Sequence, residues 1–273
     1  MSTTPMMKQY LDAKRLSPGA VLLFRMGDFY EVFFEDAELL ARVLGLAITS
    51  REKGPDAIPM AGFPHHSLDG HLRKLVQAGH RVAICDQVED PREAKGLVQR
   101  EVTRVVTPGT LTDEGLLEPR ANNFLAAVVL SRDRCGLAWV DVSTGDFQLC
   151  DLDVGQLRDE LGRLEPAECL VGDDGAEGEL GHVLAGRTGM AVTRRPGWSF
   201  HAAQARDTLL RQLGVATLEG FGIPDDCLAI GASGAIVDYL RETQRTSLDH
   251  ITRLIPYHRT QTLVIDEVTR RSL

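Results

Sequence analysis

Hydrophobic positions switch between two periods along this chain, and the switches mark out its elements. Met6, Met7, Tyr10, Leu11 and Leu16 form an apolar stripe at helical spacing. Ser2-Thr3-Thr4 offer N-cap oxygens before it, Pro5 suits a first turn, and Ser17-Pro18-Gly19 ends the helix. Ala20–Met26 reads as a buried strand, Gly27-Asp28 as a tight turn and Phe29–Phe34 as a second strand. Helical spacing returns over Asp36–Leu44, followed by a short strand at Leu46–Thr49 and a loop over Ser50–Asp56. Pro59–Ser67 is turn-rich, Ser67 is placed to cap a helix over Leu68–Ala78, and strands follow at Arg81–Asp86 and Val98–Thr107. Strands alternating with helices predict an α/β domain over residues 1–110.

Residues 111–121 mix turn residues and charge and read as a linker. Three strand-like runs at hairpin spacing come next: Phe124–Ser131, Gly136–Ser143 and Phe147–Leu152. A helix over Val154–Leu164, a strand at Glu168–Val171, a helix at Ala229–Arg241 and further helix over Leu248–Ile255 complete a second α/β domain, residues 122–252. Gln261–Leu273 reads as a strand or extended chain running to the end without a stop signal, as if cut.

Composition is that of a packed protein: 273 residues, 43% hydrophobic and 25% charged, with no run near the roughly 20 apolar residues of a membrane span. The N-terminus has no apolar secretory core, and five cysteines without a C-x-x-C pair read as reduced, mostly buried thiols, so the expected location is cytoplasmic. Net charge is −9, and the acidity is uneven: residues 1–115 carry 14 Lys/Arg against 16 Asp/Glu, residues 116–273 carry 16 against 23. A protein that simply coats nucleic acid carries a basic excess. Any DNA contact here must rest on local geometry.

Of 15 aromatic residues, five (Phe24, Phe29, Tyr30, Phe33, Phe34) fall within 11 positions. Strand alternation puts Phe29, Glu31 and Phe33 on one face of the second strand and Tyr30, Val32 and Phe34 on the other, so one-sided core packing does not account for both sets. Phe29, directly after the turn, can project a flat ring together with the Glu31 carboxylate. Such a ring stacks on a base or wedges into a base step, and a carboxylate accepts a base N–H or, when protonated, donates to a ring nitrogen. From residue types alone, a core Phe29 and a solvated Glu31 remain the commoner outcome.

The stretch Phe24-Arg25-Met26-Gly27-Asp28-Phe29-Tyr30-Glu31 resembles the Gly-x-Phe-Tyr-Glu signature of the MutS family of DNA mismatch-recognition proteins. The likeness continues through Pro59–His65, Ala83–Pro91 and Val105–Thr110, and more weakly through Val140–Gly145 and Leu263–Leu273. It implies a mixed-sheet mismatch-recognition domain over residues 1–110, an RNase H-like α/β connector domain over 122–252 and, over 253–273, the first residues of a helical lever or core domain. It also implies that Phe29 stacks on a mismatched or unpaired base from the minor groove of kinked duplex DNA while Glu31 hydrogen-bonds to it. The implied partners are mismatched duplex DNA, a MutL-type matchmaker through the connector, and a second copy in a full-length homodimer, with the fragment itself monomeric. ATP and Mg belong to an ATPase region of the full-length protein. No G-x-x-x-x-G-K-[ST] occurs here, and Gly231-Ala-Ser-Gly234 lacks the lysine, so this chain is expected to hold no cofactor and not to be an enzyme.

Lesser candidates follow. Arg51 and Lys53 lie in a Gly-Pro loop suited to phosphate contact or plain solvation, and Arg100 and Arg104 could reach the DNA backbone or pair with neighbours such as Glu101. Met26 and Met60 could line the wedge or fill the core. His65 stands where the family often has Tyr; His65, His66 and His71 lack a carboxylate or Cys at metal-ligand spacing, so no metal is expected. Two other readings are carried: a metal-dependent nuclease using Asp141 of the RNase H-like region, and a pure protein-interaction module in the acidic second half.

Overall fold

The computed structural model describes residues 4–50, 54, 57–89, 96–112, 122–173, 179–184, 187, 189–244 and 247–259. Arg51, Lys53, most of the expected linker and the closing run Gln261–Leu273 lie outside them. The fold divides into two compact units, one built on Met1–Thr107 and one on Pro108–Glu242 with Thr246–Leu273.

The first unit contains α1 (Pro5–Arg15), β1 (Val21–Met26), β2 (Phe29–Phe33), α2 (Glu35–Leu44), β3 (Thr49–Ser50), β4 (Pro59–Pro64), α3 (Leu68–Gln77), β5 (Val82–Gln87) and β6 (Arg100–Val106). Its sheet runs β3-β4-β2-β1-β5-β6, parallel between β1 and β5 and antiparallel elsewhere. Thr4 caps α1, its hydroxyl accepting the Met7 N–H, and the helix buries Met7, Tyr10 and Ala13. The Tyr10 ring meets Phe24 and Phe33 edge-on at 5.5 and 4.9 Å, so α1 covers the sheet face that carries those two residues. Lys14 fixes the helix there, donating to the Asp36 carboxylate at 2.6 Å and to the Ala20 carbonyl. The half-buried pair is further held by the Leu22 N–H on Asp36, which leaves little of that carboxylate unsatisfied.

Several expectations are corrected here. The turn-rich Pro59–Ser67 is mostly strand: β4 pairs antiparallel with β2 over five positions, and only His65–Ser67 turns, as a 3-10 segment. Both prolines of β4 sit at its ends, where a missing N–H costs the ladder least. Because that turn runs into α3, Ser67 has φ −93° and ψ 7° and makes no side-chain cap. The strand expected at Leu46–Thr49 shrinks to Thr49–Ser50, and Leu16, counted in the apolar stripe, is the exposed C-cap of α1.

The second unit contains β7 (Phe124–Ser131), β8 (Arg134–Asp141), β9 (Asp146–Asp153), α4 (Val154–Leu164), β10 (Glu168–Gly172), α5 (Glu179–Leu184), β11 (Ala191–Arg195), α6 (Ala202–Leu213), α7 (Ala229–Gln244) and β12 (Ile255–Pro256). Its sheet runs β11-β10-β7-β8-β9-β12: the antiparallel meander β7–β9, with β10 and β11 added parallel beside β7 and β12 parallel beside β9. This is the mixed α/β architecture expected of an RNase H-like domain. Alternation builds both faces: Leu125, Ala127, Ala138 and Val140 pack under α6 and α7, while Ala126, Val128, Leu137 and Trp139 pack under α4 and α5. Leu248–Ile255 is not a helix; a single turn at Asp249–His250, closed by the Ile251 N–H on the Leu248 carbonyl, runs into irregular chain that buries Leu248, Ile251 and Leu254 before β12.

The segment Pro108–Thr110 belongs to the second unit. The Gly109 N–H donates to the buried Glu168 carboxylate at 3.0 Å, which also accepts the Thr193 and Tyr239 hydroxyls.

Candidate nucleic-acid interface

The hairpin β1–β2 turns on only Gly27 and Asp28. Gly27 takes φ +59°, and glycine at the first of two turn positions is what a II′ hairpin requires. The last cross-strand pair before the turn is Met26 with Phe29. Phe29 has Pro64 on its other side, and Glu31 lies between Phe24 and Gly62. On the other edge of the turn, the His65 N–H donates to the Asp28 carbonyl at 2.8 Å, and the His65 ring Nδ1 lies 3.2 Å from the same oxygen. That oxygen only accepts, so the ring bond requires the Nδ1-protonated tautomer.

Cover over this face is uneven. Phe24 and Phe33 are sealed beneath Tyr10, at 0% and 2% exposure, whereas Phe29, on the same face four residues before Phe33, is 46% exposed. Sealing an aromatic contributes roughly 1.5–3 kcal/mol, so leaving this ring half in water forgoes part of that burial. Glu31 is half-buried beside it. Opposite Glu31, a Cβ at Gly62 would strike the Tyr30 carbonyl at 2.8 Å, so the glycine lets β4 lie close against β2 beside that carboxylate.

Arg100 comes to the same face from β6. Its Nε donates to the Arg25 carbonyl at 2.6 Å, its Nη1 donates to the Val98 carbonyl and Gln9, and its guanidinium lies 5.2 Å from the Phe24 ring centre. Burial pulls the Arg100 pKa down, while the Cys85 sulfur and the Glu31 carboxylate oppose that shift. The arrangement joins a half-exposed ring, a carboxylate two residues on, and a cation near that carboxylate.

The structure thus brings Met26, Phe29, Glu31, Met60 and Arg100 to one sheet face and His65 to its rim. Met26 and Met60 are half-buried and pack against the cluster under α1. Arg104 is not part of this group. A bulge breaks the β5–β6 register after Ile84, and with Val102 and Val105 both packed under α1, Arg104 falls on the reverse face. Residue-type reasoning gave no role to Tyr30, Asp86, Gly62 or Gln9. The first two occur inside the family-like motifs, and only the fold shows that they meet: the Tyr30 hydroxyl donates to Asp86 Oδ1 at 2.6 Å.

In the second unit, Asp141 accepts the Ser143 N–H and hydroxyl at 3.0 and 2.6 Å and lies near the Asn123 N–H, as a turn-capping carboxylate does. Among the described residues no three His, Cys, Asp or Glu side chains gather as metal ligands. Gly231 and Gly234 serve packing: a Cβ would strike the Phe200 carbonyl at the first and Ala205 at the second, so this segment of α7 lies against protein and does not cradle a phosphate. All five cysteines are free thiols. Burial raises the pKa of Cys135 and Cys169 to about 12 and of Cys227 to about 11, so they are not nucleophiles near neutral pH. No helix among the described residues is long and apolar enough to cross a membrane.

Comparison with known proteins finds two family domains along the chain. Residues 4–115 match the family model of MutS domain I, and residues 123–252 match that of MutS domain II. The chain is 47% identical over 292 aligned positions to the DNA mismatch repair protein MutS of Rhodopirellula baltica, covering 99% of this chain and 32% of that protein. It therefore spans about a third of the length of this curated relative. Carrying the first two MutS domains in order, the chain belongs to the MutS family.

Proposed function

We propose that the first unit recognises mismatched or unpaired bases in duplex DNA, Phe29 stacking on the base from the minor groove of a kinked duplex and Glu31 hydrogen-bonding to it. The observation that carries this reading is the half-exposed Phe29 ring at the start of a strand whose other apolar residues are sealed. Stacking on a base contributes roughly 1–3 kcal/mol and is tolerant of sequence. A mispaired step is already poorly stacked, so opening and kinking it costs less than at a paired step. Selectivity then comes from deformability, with little base-edge readout. A carboxylate near phosphates is repelled unless the base offers it a partner, so Glu31 favours discrimination over affinity, and Arg100 offsets part of the repulsion. Met26, Met60 and His65 line the approach to the base, and Arg51 and Lys53 serve the flanking phosphates.

In the whole protein this unit works within an ATP-dependent homodimeric clamp, whose ATP and Mg are held outside the two domains matched here. The second unit presents a docking surface to a MutL-type matchmaker. Its excess of acidic residues and its exposed Trp198 and Val192 favour a protein-facing role over DNA wrapping. The Asp141 carboxylate, held within its turn, gives the nuclease reading no support.

The test is Phe29→Ala in the full-length protein, measured on G·T and matched duplexes. The G·T preference is expected to collapse to near parity; an undiminished preference overturns the wedge assignment.

A further inference from the structure

Phe29 and Glu31 flank Tyr30 in β2, and Tyr30 faces the other way. Its ring is buried on the reverse face of the sheet, 6.0 Å from Phe63, with the Arg25 guanidinium 5.5 Å from its centre. Its hydroxyl passes over β1 to donate to Asp86 Oδ1 on β5 at 2.6 Å, and Asp86 Oδ2 accepts the Thr103 hydroxyl on β6 at 3.2 Å. Among the described residues, backbone ladders join β2 only to β1 and β4. The Tyr30–Asp86–Thr103 bonds therefore tie the strand that carries the ring directly to the far side of the sheet.

Such a tie suits a loaded side chain. Any roll of β2 about its own axis moves Phe29 and Glu31 together, and a hydrogen bond held off that axis at the residue between them resists the roll. An O–H···O⁻ bond is among the stronger kinds and fixes direction as well as distance. Burial and the Asp86 carboxylate both raise the Tyr30 pKa, so the phenol stays a donor across the physiological range.

We infer that Tyr30 and Asp86 are positioning residues for base recognition, holding β2 at the tilt from which Phe29 and Glu31 meet the duplex. The inference rests on the proposed role of Phe29. Tyr30→Phe keeps the packed ring and removes only the bond, and the half-buried Asp86 keeps Thr103 and access to water, so no charge is stranded.

The experiment compares full-length wild type, Tyr30→Phe, Phe29→Ala and the double variant on G·T and matched duplexes, with thermal unfolding alongside. Tyr30→Phe is expected to lower the mismatch-to-match affinity ratio roughly tenfold, the value of one hydrogen bond to a charged group. Its affinity for matched duplex should be unchanged. In the Phe29→Ala background the same substitution should leave the residual affinity for both duplexes unchanged, because without the ring no base is stacked for Glu31 to meet. Asp86→Ala should reproduce the Tyr30→Phe loss, while Asp86→Asn, whose amide oxygen still accepts, should retain most of the selectivity.

If Phe29→Ala abolishes selectivity and Tyr30→Phe does not touch it, the positioning role is overturned and the wedge reading stands. Equal loss of affinity for both duplexes on adding Tyr30→Phe to Phe29→Ala shows a merely structural role and overturns it too. A Phe29→Ala protein that keeps its preference removes the wedge reading, and the role inferred for Tyr30 with it.

Discussion

The hairpins that open the two sheets, β1–β2 and β7–β8, share a construction and differ at their tips. Each has a two-residue turn with positive φ at its first position, +59° at Gly27 and +56° at Arg132. At the second tip the closing pair is Ser131 with Arg134, and Arg134 also pairs with Asp151; apolar side chains begin farther in, beneath helices on both faces. At the first tip the closing pair is Met26 with Phe29, and the helix on that side seals Phe24 and Phe33 while Phe29 stays half in water. One hairpin ends in groups that water solvates well; the other places an aromatic ring where a scaffold needs none. Exposure of a ring against the habit of its own strand is the physical mark of the site.

The contrast is sharpest between Phe33 and Phe29, on one face of one strand. Phe33→Ala is expected to destabilise the fold by about 3–5 kcal/mol, as large-to-small changes in a closed core do, whereas Phe29→Ala should cost below about 1 kcal/mol. Denaturant unfolding of the two variants measures this, and equal losses would make Phe29 a core residue.

A smaller effect separates the two hairpins through their glycines. A Cβ at Gly136 would lie 2.3 Å from Ala229 N at the start of α7, so Gly136→Ala should cost about 1–3 kcal/mol or more by overpacking. At Gly27 nothing lies within 4 Å, and Gly27→Ala should cost only its left-handed backbone, about 1–2 kcal/mol. Thermal unfolding ranks them; the reverse order would mean that the first tip is the more tightly built.

The smallest effect is a pH dependence specific to the first unit. His71, 4.3 Å from the Phe63 ring, has its pKa lowered by burial and then by Lys74; that of His80 is lowered by burial and then by Arg42. The unfolded chain therefore takes up protons first as pH falls below the ordinary histidine value of about 6.5, and stability drops with it. Melting temperatures between pH 7.5 and 5.5 should fall less steeply in His71→Gln than in the wild type; parallel slopes would remove His71 from the account.

Sequence pattern carries far where one period dominates. The helix at Val154–Leu164 and the strand at Phe124–Ser131 fall where the residues place them, because the helix repeats Val154, Leu157, Leu161 and Leu164 at helical spacing and the strand is a continuous apolar run between polar turns. It fails where a local signal competes with a tertiary one. Prolines at both ends made β4 look like turn, although the neighbouring strands accept prolines there. A spacing of three over Leu248–Leu254 imitates a helix, but one turn followed by irregular chain buries the same residues. At the site, the aromatic cluster and the place of Phe29 after the turn were legible. The approach of Arg100 from β6 and the reach of Tyr30 to Asp86 were not, since 69 and 56 residues separate the partners and only the sheet order brings them together.

The brevity of the first turn has a mechanical consequence. With only Gly27 and Asp28 between the strands, and His65 closing on the Asp28 carbonyl, the tip has no slack with which to recoil. On the proposed reading, a rigid probe pressed against a soft helix leaves the yielding to the nucleic acid. On that same reading a compliant step admits the ring and a stiff one expels it, and the two-residue turn holds the ring in place in either case.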